Sequence, residues 1–386
     1  MTPEARIAAA IDILEDILGG EAAERSLTSW GRGNRFAGSG DRAAIRDLVF
    51  DALRRRRSLG WLGGADTGRG LMLGRLRDAG EEPERVFTGA RHAPPPPTEE
   101  EKASGRPLSE APDPVRLDCP DWLWPQLSAD LGDRTGEVLE ALRSRAPVFL
   151  RANRLKGTRD EAVARLAADG IVAVPHAAGP FVIEVTDGAR RVQASEAYRT
   201  GLVELQDASS QAVIDRLGPL AEGRDVLDYC AGGGGKALAL AALGGRVTAH
   251  DADPGRMKDL PARAARAGAR ISIAARPSGS FGLVLCDAPC SGSGAWRRQP
   301  EAKWRLTADA LAALTRTQDT ILDAASGLVG PGGHLAYATC SFLSAENDAR
   351  ADAFTARIPG WRDVDRLRLL PGAGGDGFFL AVFRKS

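Results

Sequence analysis

Two cysteines stand where a thiol could do covalent chemistry. Cys290 lies in Asp287-Ala288-Pro289-Cys290-Ser291-Gly292-Ser293-Gly294, and Cys340 in Tyr337-Ala338-Thr339-Cys340-Ser341. An apolar run precedes each of them, 282–286 and 333–336, so both thiols are expected at the ends of buried strands. In open α/β sheets, ligands bind beyond the carboxyl ends of the strands. A thiolate there can add to an electrophilic carbon and split one hard step into easier ones. Asp287, at the same strand end as Cys290, can supply a proton or a hydrogen bond to the adduct.

A third segment supplies a ligand loop. Asp225-Val226-Leu227-Asp228-Tyr229-Cys230-Ala231-Gly232-Gly233-Gly234-Gly235-Lys236 reads as a strand, a glycine turn and the start of a helix. The glycines let the backbone approach a ligand closely, and the helix start offers free N–H groups. A phosphate loop of the GxxxxGK[ST] type is excluded, because Ala237 follows Lys236 and Cys230 takes the place of the first glycine. The dinucleotide pattern GxGxxG is also absent. A nucleoside carrying a carboxylate and no phosphate fits better, and S-adenosylmethionine is such a molecule. Asp251 ends the next expected strand, about 20 residues on, where it can accept hydrogen bonds from ribose hydroxyls. An N-cap for the following helix is its competing use. The expected cofactor set is therefore Cys230, Ala231, Gly232, Gly233, Gly234, Gly235, Lys236, Asp251 and Asp287.

Taken together, these segments resemble the Sun/Nop family of RNA cytosine-5 methyltransferases. The resemblance rests on Asp-Ala-Pro-Cys-Ser-Gly-Ser-Gly, on Arg297-Arg298-Gln299-Pro300-Glu301-Ala302-Lys303-Trp304, and on Tyr-Ala-Thr-Cys-Ser with Glu346-Asn347. Gln206-Asp207-Ala208-Ser209-Ser210 and Asp376-Gly377-Phe378-Phe379 agree with it, and it covers about residues 113–386. It implies that Cys340 is the nucleophile, that Cys290 assists product release, and that Asp287 stabilises the adduct. Thiolate addition to cytosine carbon 6 would make carbon 5 enamine-like and able to accept a methyl group. The implied partner is RNA, small-subunit ribosomal RNA foremost and transfer RNA as the alternative. Contacts to RNA are expected at Arg151, Asn153, Arg297 and Arg298. Two departures stand out. The family pattern Cys-Ala-Ala-Pro-Gly-Gly-Lys-Thr is altered, with Gly232 and Gly233 in place of Ala-Pro and Ala237 in place of Thr. The family also places an aspartate after the third strand to hold the adenine amino group, whereas 271–277 contains no acid. Weaker cofactor affinity is expected, and a non-catalytic RNA-binding or ribosome assembly factor with a degenerate cofactor site is the alternative function.

The surrounding pattern indicates what positions these residues. Strands are expected at 202–206, 225–230, 246–250, 271–275, 282–286, 333–338 and 377–384, with helices at 208–217, 235–243, 254–267 and 307–328. This alternation predicts a doubly wound, Rossmann-like class I methyltransferase domain over 201–386. The last strand is expected in a C-terminal hairpin. Residues 114–200 read as a small α+β, RNA-recognition-like domain with strands near 148–153 and 181–185. The Pro-rich stretch 92–113 reads as a linker or an extended surface crossing. Residues 1–91 read as all-helical and resemble a NusB-like RNA-binding domain.

Composition bounds the rest. Basic and acidic residues balance at 51 each, so RNA contact must come from local patches such as Arg54 to Arg57, not from a global field. Five scattered cysteines form neither a disulfide framework nor a Cys/His metal cluster. No metal, signal peptide or membrane span is expected, and the expected form is a cytoplasmic monomer.

Overall fold

Eleven strands build two sheets in the computed structural model, which describes all 386 residues. The first sheet is antiparallel and contains β1 (Val148–Ala152), β2 (Val172–Pro175), β3 (Val182–Asp187) and β4 (Val203–Leu205), in the order β2-β3-β1-β4. The second contains β5 (Asp225–Asp228), β6 (Arg246–Ala249), β7 (Ile271–Ile273), β8 (Phe281–Asp287), β9 (Val329–Thr339), β10 (Trp361–Leu369) and β11 (Phe378–Lys385). Its order is β10-β11-β9-β8-β5-β6-β7. Strands β5 to β9 are parallel to their neighbours among themselves, and β10–β11 is the expected hairpin, antiparallel to β9.

The parallel strands are apolar on both faces because helices cover both. Val226, Leu283, Leu285, Ala336 and Ala338 face the helices Ala208–Ala221, Gly235–Ala242 and Leu260–Ala267. Leu227, Val284, Cys286, Leu335 and Tyr337 face the helices Ala308–Ser326 and Asp348–Arg357. Each fully buried leucine or valine contributes about 1.5–3 kcal/mol. That burial fixes the register of β8 and β9, and so the height at which Cys290 and Cys340 emerge.

One expected strand changes sheet. Residues 202–206 were expected in the larger sheet, but β4 pairs with β1, Leu150 opposite Leu205. β2 was not expected, and β10 was expected only as the partner, without a range, of the C-terminal hairpin. β2 is an edge strand with Val172 and Val174 exposed, and β10 alternates Arg and Asp with apolar residues on a half-covered face.

The chain forms two compact units, Met1–Arg145 with Trp296–Arg305, and Ala146–Ala295 with Leu306–Ser386. Residues 114–145 pack with the helices that precede them. Asp118 is fully buried there and accepts hydrogen bonds from Ser58 N–H at 2.9 Å and Ser58 Oγ at 2.8 Å. Arg143 lies 2.9 Å from the same carboxylate. The stretch 92–113 crosses the surface of the first unit and is held to it. Thr98 and Glu101 cap the short helix Glu99–Ser104, and Glu101 pairs with Arg69 at 2.6 Å.

The first unit is helical: Pro3–Leu18, Ala23–Gly33, Ser39–Arg54, Arg56–Gly63 and Gly68–Asp78 lead it. The last of these hides behind three glycines. A Cβ on Gly74 would fall 1.9 Å from the Leu59 carbonyl oxygen, so glycine is what lets that helix lie against Arg56–Gly63.

Ten residues from the far end of the chain, Trp296–Arg305, belong to this unit. Arg54 Nε donates to the Arg297 carbonyl at 2.7 Å, and Trp304 Nε1 donates to the Leu53 carbonyl at 2.6 Å. Glu301 accepts the Ala23 N–H at 2.7 Å at the start of Ala23–Gly33. Lys303 is buried over the Trp304 ring, and burial lowers its pKa to about 8. Arg297 is only 2% exposed, which overturns its expected role as an RNA contact; Arg298 beside it is half-buried. No helix is long and apolar enough to cross a membrane.

Candidate active site

The glycine loop follows β5 and is held from beneath. Ala231 N–H donates to the His250 carbonyl at 2.8 Å, Gly232 N–H to Asp251 Oδ2 at 2.9 Å, and Gly234 N–H to the Ala231 carbonyl at 2.8 Å. Gly232 and Gly234 have φ of +49° and +80°, a region that disfavours side chains. A Cβ on Gly234 would also meet Leu260 Cδ1 at 2.2 Å, whereas one on Gly235 would meet nothing. The loop is thus packed on one side and open at Gly235.

Lys236, the second residue of the helix Gly235–Ala242, reaches across to β8. Its Nζ donates to Asp287 Oδ2 at 2.7 Å and lies 4.9 Å from the centre of the Phe378 ring. Burial opposes the lysine's charge, but Asp287 outweighs it and the pKa is raised. Asp228 sits at the end of β5, 1% exposed, with no hydrogen-bond partner for either carboxylate oxygen. Burial, reinforced by the Asp287 charge, pushes its pKa up to about 7.

Cys290 and Cys340 meet at the ends of the adjacent strands β8 and β9, their sulfurs 3.4 Å apart. One shared hydrogen bond splits them. It lowers the Cys340 pKa against burial and the Asp287 charge, with a smaller help from Lys236, and it raises that of Cys290 well above the ordinary thiol range. The other three thiols are raised by burial: Cys119 to about 11, Cys230 to about 12, and Cys286 well above its ordinary value. Among five cysteines only Cys340 is shifted toward the thiolate, the nucleophilic form.

That shift has a direct check. The ordinary thiol pKa is about 8.5, so Cys340 should react with iodoacetamide at lower pH than a free thiol. In Lys236→Met the midpoint of its alkylation profile, read by mass spectrometry, should rise by about one unit. An unmoved midpoint would mean that Lys236 does not act on the thiol.

Behind the thiols lies a polar cluster that sequence reasoning did not assign a role. Glu346 is fully buried. Its carboxylate accepts from Ser291 N–H at 2.8 Å, Ser291 Oγ at 2.5 Å, Ser341 Oγ at 2.6 Å and Gln318 Nε2 at 3.1 Å. Ser291 and Ser341 each follow a cysteine, so one carboxylate ties both cysteine turns together. Asn347 braces the Cys340 turn alone, donating to the Ser341 carbonyl at 3.0 Å and accepting from Thr339 Oγ1 at 2.6 Å. The available signal was an acidic residue and an amide, Glu346-Asn347, a few residues after Cys340.

Asp251 does not stand free for a ribose. It is 4% exposed, its Oδ2 takes Gly232 N–H and faces Arg256 Nη1 at 3.2 Å, and its Oδ1 takes Asp253 N–H at 3.0 Å. A diol would share this carboxylate with the loop. After β7, where the family acid is missing, the Ala274 carbonyl receives His250 Nδ1 at 3.0 Å.

The structure also corrects two RNA contacts. Asn153 is buried and donates to the Gly201 and Ala267 carbonyls, both at 2.8 Å. Arg151, 7% exposed, bonds to Gln206 and to the Gly235 carbonyl at 3.0 Å. Both side chains tie the small sheet to the larger one; neither is presented to a ligand on the surface.

Comparisons with known proteins agree with this geometry. A family model described as 16S rRNA methyltransferase RsmB/F matches residues 216–384, and one described as the RsmF/B-like ferredoxin-like domain matches residues 119–192. Ribosomal RNA small subunit methyltransferase B of Vibrio cholerae is 35% identical over 288 residues, 70% of this chain and 66% of that protein. The same-named protein of Xylella fastidiosa is 36% identical over 289 residues, 68% of this chain and 67% of its own length. The matched part of this chain therefore spans about two thirds of these relatives. Among solved structures, PH0851 superposes with a TM-score of 0.77 at 22% identity, covering 100% of this chain and 99% of its own. A methyltransferase homolog protein from Pyrococcus horikoshii gives 0.62 at 24% identity, covering 71% of this chain and 97% of its own. At these identities the structural likenesses speak to the fold.

Proposed function

The chain belongs to the RsmB/F methyltransferase family, and from that premise we propose that it methylates carbon 5 of a cytosine in small-subunit ribosomal RNA. One observation carries the reading: two thiols 3.4 Å apart, only one of them shifted toward the thiolate, beside a Lys236–Asp287 pair at the carboxyl end of a Rossmann-like sheet.

The glycine cradle suits a cofactor without phosphate. Positive φ at Gly232 and Gly234 and open space over Gly235 leave room for a nucleoside and its amino acid to lie close to the backbone. S-adenosylmethionine, when bound, supplies the methyl group. The residues that would hold it are Cys230 to Lys236, Asp251, which would accept from the ribose, and Asp287.

Cys340 acts as the nucleophile on carbon 6 of the base, and Lys236 helps keep it as the thiolate. Asp287 stabilises charge at N3 of the base, and Lys236 Nζ, 2.7 Å away, can return a proton to it. Solvent water takes the carbon 5 proton, the electrons of that C–H bond restore the carbon 5–carbon 6 double bond, and the Cys340–carbon 6 bond breaks with its electron pair on sulfur, so Cys340 leaves as the thiolate. Cys290 assists this release from 3.4 Å. The target base must leave its stack, because the thiol needs one face of the ring. The helical first unit is read as a NusB-like RNA-binding module.

Bisulfite sequencing of total RNA from cells with and without the gene tests the proposal. At least one cytosine of small-subunit ribosomal RNA should lose its protection in the deletion strain. Identical protection throughout would end the reading. A second reading, a non-catalytic RNA-binding or assembly factor, draws on the missing acid after β7 and the engaged Asp251. Calorimetric titration with S-adenosylmethionine separates the two: no heat in the intact protein favours the second.

A further inference from the structure

Four consecutive glycines make a loop with more backbone freedom than any other composition allows. The Gly233 N–H, like that of Gly235, has no backbone partner in the fold. The Gly233 carbonyl does have a partner. Arg263 Nη1, from the helix Leu260–Ala267, donates to it, and Arg263 Nη2 donates to Glu204 Oε2 at 3.1 Å. Glu204 lies on β4, is 2% exposed, and holds Arg266 through its other oxygen. One residue pair further along the loop, buried Arg151 of β1 donates to the Gly235 carbonyl at 3.0 Å. Both ends of this support therefore come from the small sheet.

The side chains and the glycines fit each other. A Cβ on Gly233 would fall 3.1 Å from Arg263 Nη1, and one on Gly232 would fall 3.2 Å from Arg256 Nη2. The guanidinium groups occupy the space that larger loop residues would need. The absence of side chains at these glycines leaves the path by which Arg263 reaches the Gly233 carbonyl open. Charge-assisted bonds of this kind are stronger than neutral ones and fix direction.

We propose that the small sheet sets the shape of the glycine loop, Glu204 holding Arg263 on the Gly233 carbonyl and Arg151 holding the Gly235 carbonyl, in place of the stiffness a proline would give. Arg263 and Glu204 are positioning residues for the cofactor site. The small sheet is then more than a platform for RNA: its seating and the cofactor's seating are mechanically one event. The consequence for cofactor binding rests on the reading that this loop holds S-adenosylmethionine; the effect on the loop itself does not.

The test uses the full chain and two readouts. The first is hydrogen exchange, without cofactor, at the bonded amides of Ala231, Gly232 and Gly234. The second is calorimetric affinity for S-adenosylhomocysteine. Arg263→Ala should speed loop exchange about tenfold and weaken binding about tenfold; Glu204→Gln should move both the same way by about threefold. Arg266→Ala is the control. It removes a partner of Glu204 without touching the loop, and both readouts should stay within twofold. A merely structural loss would affect it equally. Adding Gly233→Pro to Arg263→Ala should restore slow exchange and tight binding, because proline fixes φ and needs no N–H partner. Loop exchange unchanged in Arg263→Ala, or no rescue by Gly233→Pro, overturns the proposal. If the wild-type protein gives no heat with S-adenosylhomocysteine, the cofactor reading has failed, and the exchange comparison still decides the brace.

Discussion

Cys340→Ala should abolish methyl transfer to RNA, a loss of more than about a thousandfold, since covalent addition has no substitute route once its nucleophile is gone. The same variant should form no RNA adduct that survives a denaturing gel. Cys290→Ala should behave in the opposite way. Addition still occurs, because the attacking thiol and Lys236 remain, but release slows and the adduct accumulates. The two sulfurs are 3.4 Å apart, so each replacement also changes its neighbour's titration. Without the Cys290 thiol, Cys340 loses the hydrogen bond that is the main cause of its lowered pKa. Adduct formation by Cys290→Ala should therefore need higher pH than the alkylation midpoint of intact Cys340. An adduct formed by the Cys340 variant would refute the assignment, and the reverse pattern would exchange the two roles.

Glu346→Ala should cost about 3–5 kcal/mol of stability, measured by chemical denaturation, and leave activity too low to measure. The magnitude follows from burial. Four donors converge on this carboxylate, two from Ser291 and one each from Ser341 and Gln318. Removing a fully buried acceptor leaves the Ser291 N–H and Oγ without their partner, while Gln318 Nε2 keeps the Pro289 carbonyl and Ser341 Oγ keeps Ser293 Oγ. Glu346→Gln keeps the volume and one acceptor oxygen while turning the other into a donor facing hydroxyls that can rotate. It should recover part of the stability, with slower turnover because the two cysteine turns are less tightly tied. A loss below about 1 kcal/mol for the alanine variant would show that the Ser293–Ser341 contact and the strand ladder hold the turns unaided.

Much of the second unit was legible because its signals are local. β5, β6, β8 and β9 read directly as apolar runs, and their order along the chain placed Cys290, Cys340 and the glycine loop at one sheet end. What was lost depends on distant contacts. β4 reads like its neighbours, and only its pairing with β1 assigns it to the small sheet. Arg151, Asn153 and Arg297 carry the residue types of an RNA contact, but nothing within a few residues reveals that carbonyls of Gly235, Gly201 and Ala267, or packing in the helical unit, enclose them. Helix Gly68–Asp78 was hidden for a similar reason. Glycine normally breaks helices, and its use there is to admit a second helix, which a one-dimensional pattern cannot display. Glu346 shows the converse. Its place beside Asn347 was visible, while its role required knowing that two turns 50 residues apart meet over it.

The strap Trp296–Arg305 has a practical consequence for anyone who wishes to divide this protein. Its leading residue follows Ala295, five positions after Cys290, yet Trp296, Arg297 and Lys303 find their burial among helices encoded before Arg145. A fragment beginning at Ala146 would carry the whole sheet and both thiols, together with a sticky, indole-bearing loop deprived of its shelter. Catalytic halves excised at that seam should precipitate or oligomerise unless the helical half is supplied alongside them, so split expression of both pieces is the sounder route to a minimal enzyme.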